Sequence, residues 1–317
     1  MLKIKVGLYG SNGHQIQESL VHHPLGELTA VAAFPPRLIP TGLSPREYST
    51  LDELLLDKNV QLISLCSPRR ADQARDAIRC MEAGKHVYAE KPSALTEDDL
   101  NALITTSHKT GMHYREMSGT LVTQPYKEMR TLIRSGAIGT VVQVLSQKSY
   151  PWTNWRPSDE TIDGGIAMQA GIYSVRFVEH IAGVKITSLQ ILETGLGNPL
   201  SENHGRTAVS MLMQLENGGV ASAVCNYLNP LPSICWAYEF LRIFGTLGMI
   251  ESNSETNRTR LLVTGSPPRE VTLTEPSDDY FTLFLQSLCG GPVMPISLED
   301  ELSPTRWVIR AKAHLHA

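Results

Sequence analysis

The first 118 residues alternate short apolar runs with segments of helical spacing, and this alternation limits the possible folds more than any other feature. KIKVGLY, ELTAVAAF, VQLISLC, KHVYAE and GMHYREM have the length and composition of strands. Between them, HQIQESLVHH, TLDELLLD, ADQARDAIRCMEAG and TEDDLNALITTSHKTG carry helical spacing. Gly84 and Gly111 stand where C-terminal caps belong, and Thr96 precedes an acidic first turn as an N-cap does. Strand, helix, strand in this order predicts an α/β fold built on a doubly wound parallel sheet. Its ligand crevice is expected at the carboxyl ends of the strands.

Beyond residue 118 the pattern changes. QPYKEMRTLIRSGAIG and residues 164–182 are helical, and TVVQVLSQKSY is a strand. KITSLQILET, GRTAVSMLMQLENGGVASAVCNYL, WAYEFLRIFGTLGMIES and RTRLLVTG then alternate in long runs, with ENGG and GTLG as hairpin turns. This predicts an α+β domain with a large, mostly antiparallel open sheet, closed by the helical DDYFTLFLQSLCG and LEDELSPTRWVIRAKAHLHA. The expected domains are therefore 1–118 and 119–317. At 317 residues and 42% hydrophobic, the chain can fill two cores.

A net charge of −4 with no basic block argues against nucleic acid or an anionic membrane as partner. No apolar run approaches the roughly 20 residues of a membrane span, and MLKIKVGLYG reads as a strand rather than a signal peptide. Five cysteines without close pairing suit a reducing cytoplasm. Neither CxxC nor HExxH spacing occurs, so no metal site is expected, and His22, His23, His314 and His316 read as surface residues.

The first strand runs into Gly10-Ser11-Asn12-Gly13-His14-Gln15-Ile16. A dinucleotide fold needs a tight turn here, so that backbone N–H groups face a pyrophosphate. The G-x-G-x-x-G fingerprint is not met, since Asn12 and Gln15 hold its second and third glycine places, but asparagine tolerates the turn. Strand two ends at Ala33 and Phe34, where an acid would meet the ribose hydroxyls, and Arg37 follows. A cation without that acid favours NADP over NAD.

GKHVYAEKPSALTEDD places Glu90-Lys91-Pro92 after a short buried strand, with a cation facing the crevice. This stretch resembles the glucose–fructose oxidoreductase/inositol dehydrogenase/MocA family, and so do SPRRADQARDAIRCMEAG, LIRSGAIGTV, DGGIAMQAGIY, LENGGVASAV, IFGTLGMIES and PISLEDEL, in order. The resemblance covers nearly the whole chain. It implies a Rossmann domain, an open-sheet domain that forms a homodimer or homotetramer, and redox chemistry on a sugar, cyclitol or related alcohol with NAD(P). It implies cofactor contacts from Gly10, Ser11, Asn12, Gly13, Phe34, Arg37, Ser67, Pro68, Glu90, Lys91 and Pro92. The Lys-Pro bond is often cis in such enzymes, and a histidine expected near Asp72 is absent.

The family's catalytic helix carries an aspartate and a histidine four residues apart, on one face. Mapped here, Gly164, Gly165 and Gly171 keep the glycine places, while the two working positions hold Gln169 and Tyr173. A tyrosine beside a lysine cation can serve as acid or base, whereas glutamine only orients a hydroxyl. Lys91 and Tyr173 are thus the expected proton-handling pair, with Gln169 as a catalytic companion. Arg176, three residues on, can meet an anionic or polyhydroxyl substrate or pair with Glu179 or Asp163. The loop before the helix offers Lys148, Tyr150, Trp152, Trp155 and Arg156 to a sugar ring, or to an oligomer interface. Two other outcomes stay open: a lyase or hydrolase that oxidises its substrate transiently, and a non-catalytic sugar or dinucleotide sensor.

Overall fold

The computed structural model describes residues 2–153, 156–199, 205–230 and 235–315. The chain forms two units. One comprises residues up to Ser118 with Thr161–Gly164 and Asp279–Arg306; the other comprises Gly119–Glu160, Gly165–Asp278 and the residues from Trp307. Residues 279–306, assigned from sequence to the second domain, therefore belong to the first unit.

The first unit contains β1 (Ile4–Tyr9), α1 (Gln17–Leu20), β2 (Gly26–Ala32), β3 (Arg46–Tyr48), α2 (Leu51–Leu56), β4 (Leu62–Leu65), α3 (Gln73–Glu82), β5 (His86–Ala89), α4 (Glu97–Thr110) and β6 (Tyr114–Glu116). Six parallel strands follow the order β3-β2-β1-β4-β5-β6, the doubly wound sheet expected from the alternation. The order reverses between β1 and β4, so the turns that follow these strands sit at the switch point where such sheets bind ligands. Leu62, Ile63 and Leu65 on β4 are fully buried, as a central parallel strand covered on both faces requires. Helix α4 begins at the Thr96 cap, which accepts from the Asp99 N–H, and ends at a left-handed Gly111.

Two expectations fail in this unit. HQIQESLVHH forms only the one-turn α1, because His14 is held outside helical geometry by Glu90 and Pro24 restricts the residue before it. His23 is buried rather than on the surface. Its Nδ1 accepts from the N–H groups of Leu25 and Gly26 (both 3.1 Å), and its Nε2 lies 2.9 Å from Thr282 Oγ1.

The second unit contains α5 (Tyr126–Arg134), β7 (Val141–Pro151) and a helix whose centre is α7 (Ile172–Arg176), while all of the short α6 (Glu160–Asp163) but its first residue falls in the first unit. This helix is flanked by π-helical turns at Ala167–Gly171 and Phe177–Ala182. There follow β8 (Ile186–Thr194), β9 (Ala208–Leu215), β10 (Val220–Asn229), β11 (Tyr238–Gly245), β12 (Gly248–Asn253), β13 (Arg258–Val263) and the two-residue β14 (Arg269–Glu270). Eight strands line up as β14-β13-β12-β11-β7-β10-β9-β8. All pairings are antiparallel except β7 with β10. ENGG and GTLG lie in the expected hairpin turns. One face of the sheet packs on the helices. The other leaves Leu192 (74% exposed), Leu212 (63%) and Val224 (43%) in solvent.

The chain ends in α8 (Tyr280–Leu288) and α9 (Leu298–Ala313). Helix α8 lays Phe281 and Phe284 on Tyr88 at ring distances of 5.0 and 6.1 Å, and this packing makes it part of the first unit.

Candidate active site

In the first unit, Gly10 has φ +70°, and a Cβ there would lie 2.1 Å from the Cys66 carbonyl oxygen, so only glycine lets the two switch-point turns touch. Gly13, at φ +134°, packs on Glu90: a Cβ would lie 2.4 Å from Glu90 Cγ. Glu90 is 2% exposed and accepts from the His14 N–H at 2.6 Å and the His14 Nδ1 at 2.7 Å. Burial alone would push this carboxyl up. The His14 hydrogen bonds and the Lys91 and Arg70 cations outweigh burial and bring it to about 2.

Lys91 is buried, with Nζ 4.0 Å from Glu90 Oε1, and the Lys91–Pro92 bond is cis. Behind it, the Ser93 N–H and Oγ donate to Glu116 Oε1 at 2.9 and 2.7 Å, which ties the Glu-Lys-Pro turn to the end of β6.

Sequence reading missed the pair that gathers these turns. Arg70 and Gln73 are fully buried. Gln73 Nε2 donates to the carbonyls of Glu90 and Pro92, the latter at 3.2 Å. Its Oε1 accepts from the Ser67 N–H at 3.2 Å and from Arg70 Nη1. Arg70 Nη2 donates to the Asn12 carbonyl at 2.6 Å. The turns after β1, β4 and β5 thus share one amide and one guanidinium. The available signal was a glutamine, Gln73, one position beyond the Asp72 place.

The remaining expected cofactor contacts divide. Asn12 Nδ2 donates to the Ile162 and Pro68 carbonyls at 2.6 and 3.2 Å, so its side chain braces the turn. Ser67 is buried and spends its hydroxyl on Asp76 at 2.9 Å, while Pro68 is exposed. Phe34 is buried. Arg37 is exposed and forms no ion pair among the described residues. A dinucleotide phosphate fits this turn, because the backbone N–H groups of Ser11 and Gln15 find no acceptor among the described residues.

In the second unit the helix is buried along its length. From Gly165 to Ala182 every residue is buried except Gln169 and Tyr173, which stand half-exposed four residues apart. They are the two positions that the family resemblance maps to its working pair. On β7, Lys148 is 4% exposed and holds its ammonium 3.8 Å from the Tyr173 ring centroid. It pairs with Glu239, which also accepts from the Tyr126 hydroxyl. Arg176 is fully buried, its guanidinium carbon 5.1 Å from the Tyr173 ring, so it is no surface cation.

Arg156 lies 3.4 Å from the Tyr227 ring centroid, and Trp152 meets the same ring edge-on at 6.2 Å. Burial pushes the Tyr150 phenol up, which keeps it neutral beside Tyr173. Trp155 and His316 lie outside the described residues. Among the described residues no group of three or more His, Cys, Asp or Glu side chains can hold a metal, and no helix is long and apolar enough to cross a membrane.

Two family models match the chain in the order of its two sheets. Residues 6–117 match the oxidoreductase family with the NAD-binding Rossmann fold, and residues 126–251 match the GFO/IDH/MocA C-terminal domain. The chain belongs to the GFO/IDH/MocA oxidoreductase family. Among its relatives is the mouse trans-1,2-dihydrobenzene-1,2-diol dehydrogenase, 24% identical over 227 residues, or 70% of this chain and 63% of the relative. The match thus spans less than two thirds of that protein.

Solved structures share the fold over the whole length. One from Thermotoga maritima has a TM-score of 0.87 at 24% identity, covering 98% of this chain and 97% of its own. The aldose-aldose oxidoreductase of Caulobacter crescentus has a TM-score of 0.82 at 20% identity, covering 99% and 98%.

Proposed function

We propose that this GFO/IDH/MocA protein transfers a hydride between NADP, or less favourably NAD, and a carbon of a sugar, cyclitol or related alcohol. The observation that carries the reading is the buried helix that leaves only Gln169 and Tyr173 open, with a cation on the tyrosine ring. When bound, the nicotinamide supplies the hydride acceptor or donor. The chain then has to bind the dinucleotide, hold a hydroxyl and move its proton.

The glycine turn, from Gly10 to Gly13, and the Glu90–Pro92 turn are the dinucleotide side of the reading. Exposed Arg37, with no carboxylate at the Ala33–Phe34 end of β2, supports the 2′-phosphate of NADP. Lys91 and Tyr173 are assigned the hydroxyl proton. Gln169 holds a hydroxyl through its amide and cannot ionise. Trp152 and Arg156 shape the substrate side, as does Arg176 from beneath Tyr173, and Trp155 is assigned there from sequence alone. The dihydrodiol dehydrogenase and aldose-aldose oxidoreductase relatives support an alcohol or sugar substrate. The thiols at Cys66, Cys80, Cys225 and Cys289 support a reducing, cytoplasmic setting. The exposed leucines and valine on the open sheet support self-association with a second copy of the chain.

The test is calorimetric titration with NADPH, NADH, NADP and NAD, followed by turnover assays across aldoses, cyclitols and dihydrodiols. Tight NADPH binding and turnover that falls at least about a hundredfold in Lys91→Ala are expected. Failure to bind any of the four forms sinks the reading. Binding without turnover across the panel marks a sugar- or dinucleotide-sensing relative instead.

A further inference from the structure

We propose that Lys148 is a positioning residue for Tyr173, anchored by Glu239, and that its ammonium holds the ring and favours the phenolate. The inference rests on the assignment of Tyr173 to proton handling. It begins with strand register. Along β7, Val144, Ser146 and Lys148 are buried at the two-residue period of a strand. A lysine in that series is out of character, since an ammonium taken out of water costs several kcal/mol unless it is paired.

The pairing is built into the sheet. Antiparallel β11 sets Glu239 directly opposite Lys148, and the carboxylate takes the ammonium on one oxygen and the Tyr126 hydroxyl on the other. Tyr126 is itself fixed, buried with its ring 4.9 Å from Phe177. The anchor is thus a chain of buried Tyr126, half-buried Glu239 and buried Lys148 that ends on the face of Tyr173, 3.8 Å from the ring centroid. A cation so placed holds the ring by cation–π attraction and favours negative charge on it.

The other ionisable groups around Tyr173 do not do the same work. Tyr150, 5.4 Å from the ammonium by ring centroid, is held neutral by burial. Cys225 is a buried thiol beside Ser174, pushed up to about 11. Arg156 is committed to the Tyr227 ring. Arg176, on Tyr173's own helix, lies farther from the ring at 5.1 Å, and Glu179 and His180 belong to the next, buried turn.

The test is an NMR titration of protein labelled with ¹³Cζ-tyrosine, the Tyr173 signal being identified by its loss in Tyr173→Phe. Lys148→Met is expected to raise the Tyr173 midpoint by about one pH unit or more, and Lys148→Arg to restore most of it. Glu239→Gln keeps an amide oxygen that accepts from the Lys148 ammonium while it removes a negative charge, and is expected to move the midpoint the opposite way. A lysine that merely filled space would produce neither the opposed signs nor the rescue. Where a substrate is known, the pH profile of kcat should move with the midpoint, while the dinucleotide KM changes less than about twofold.

An unchanged Tyr173 midpoint in folded Lys148→Met, or shifts of the same sign in Lys148→Met and Glu239→Gln, overturns the proposal. If Lys148→Met does not fold, Glu239→Gln decides, and an unmoved or raised midpoint there overturns it. The titration needs neither dinucleotide nor substrate. A failure to bind NADPH, which sinks the proposed function, therefore leaves this readout intact.

Discussion

Two side chains define what happens at the glycine turn. Gly13→Ala places a methyl group on Glu90 at a positive φ, so the carboxylate has to leave the His14 N–H. We expect a loss of about 1–3 kcal/mol in stability and at least tenfold weaker NADPH binding, read by chemical denaturation and by NADPH fluorescence. Gln73→Leu keeps the volume but leaves the Ser67 N–H, two carbonyls and the Arg70 guanidinium short of a buried partner. We expect that to cost at least about 1–3 kcal/mol by the same denaturation assay. Gly10, Gly13, Glu90 and Lys91 were legible in the sequence because each lies in one continuous stretch beside a strand end. Arg70 and Gln73 were not. Their acceptors lie 58, 17 and 19 residues away, and only the folded sheet brings those carbonyls to them.

Among the elements, the helix that carries Gln169 and Tyr173 could be read from its periodicity, and its burial pattern agrees with that reading. Its π-helical turns could not, since a five-residue change of pitch leaves no period to detect. Lys148 and Glu239 are likewise joined by strand register across 91 residues, which no local pattern encodes. The GTLG hairpin was visible, but the reason for its first glycine was not. A Cβ on Gly245 would lie 2.1 Å from the Ile138 carbonyl oxygen, in the turn that leads into β7. Gly245→Ala should therefore lower stability by about 1–3 kcal/mol in thermal unfolding, with Gly218→Ala as the comparison. Gly218 meets nothing within 4 Å, so its cost comes only from φ +84°.

For the whole molecule, pH and association are the informative variables. Burial and the neighbouring His113 push His86 down to about 4, and its Nδ1 accepts the His113 N–H at 3.0 Å. Burial also lowers His23. A histidine lowered by folding contributes stability that is complete above its unfolded value near 6.5 and lost as pH falls toward the folded value. Burial raises Asp76 and Glu301, which act with the opposite sign at lower pH, so the histidine effect is best read as a difference between variants. Between pH 7 and pH 5, the fall in melting temperature should be smaller in His86→Asn than in the parent protein, by on the order of 1 kcal/mol in stability.

Association is tested on the open sheet face. Val224→Lys should shift the sedimentation coefficient toward the monomer without changing the melting temperature measured at high dilution. The two sheets were legible because strand and helix periods differ. The return of residues 279–306 to the first unit was not, since it rests on α8 side chains that meet Tyr88 and His23 far along the chain.

The shared use of Arg70 and Gln73 has a consequence for redesign. Three turns that hang on one amide and one guanidinium cannot be exchanged one at a time. A glycine turn transplanted from a relative to alter cofactor preference would arrive with its carbonyl aimed at a different partner. Positions 70 and 73 would have to travel with the graft, and an evolving lineage would meet the same requirement as compensating changes at a distance from the turn.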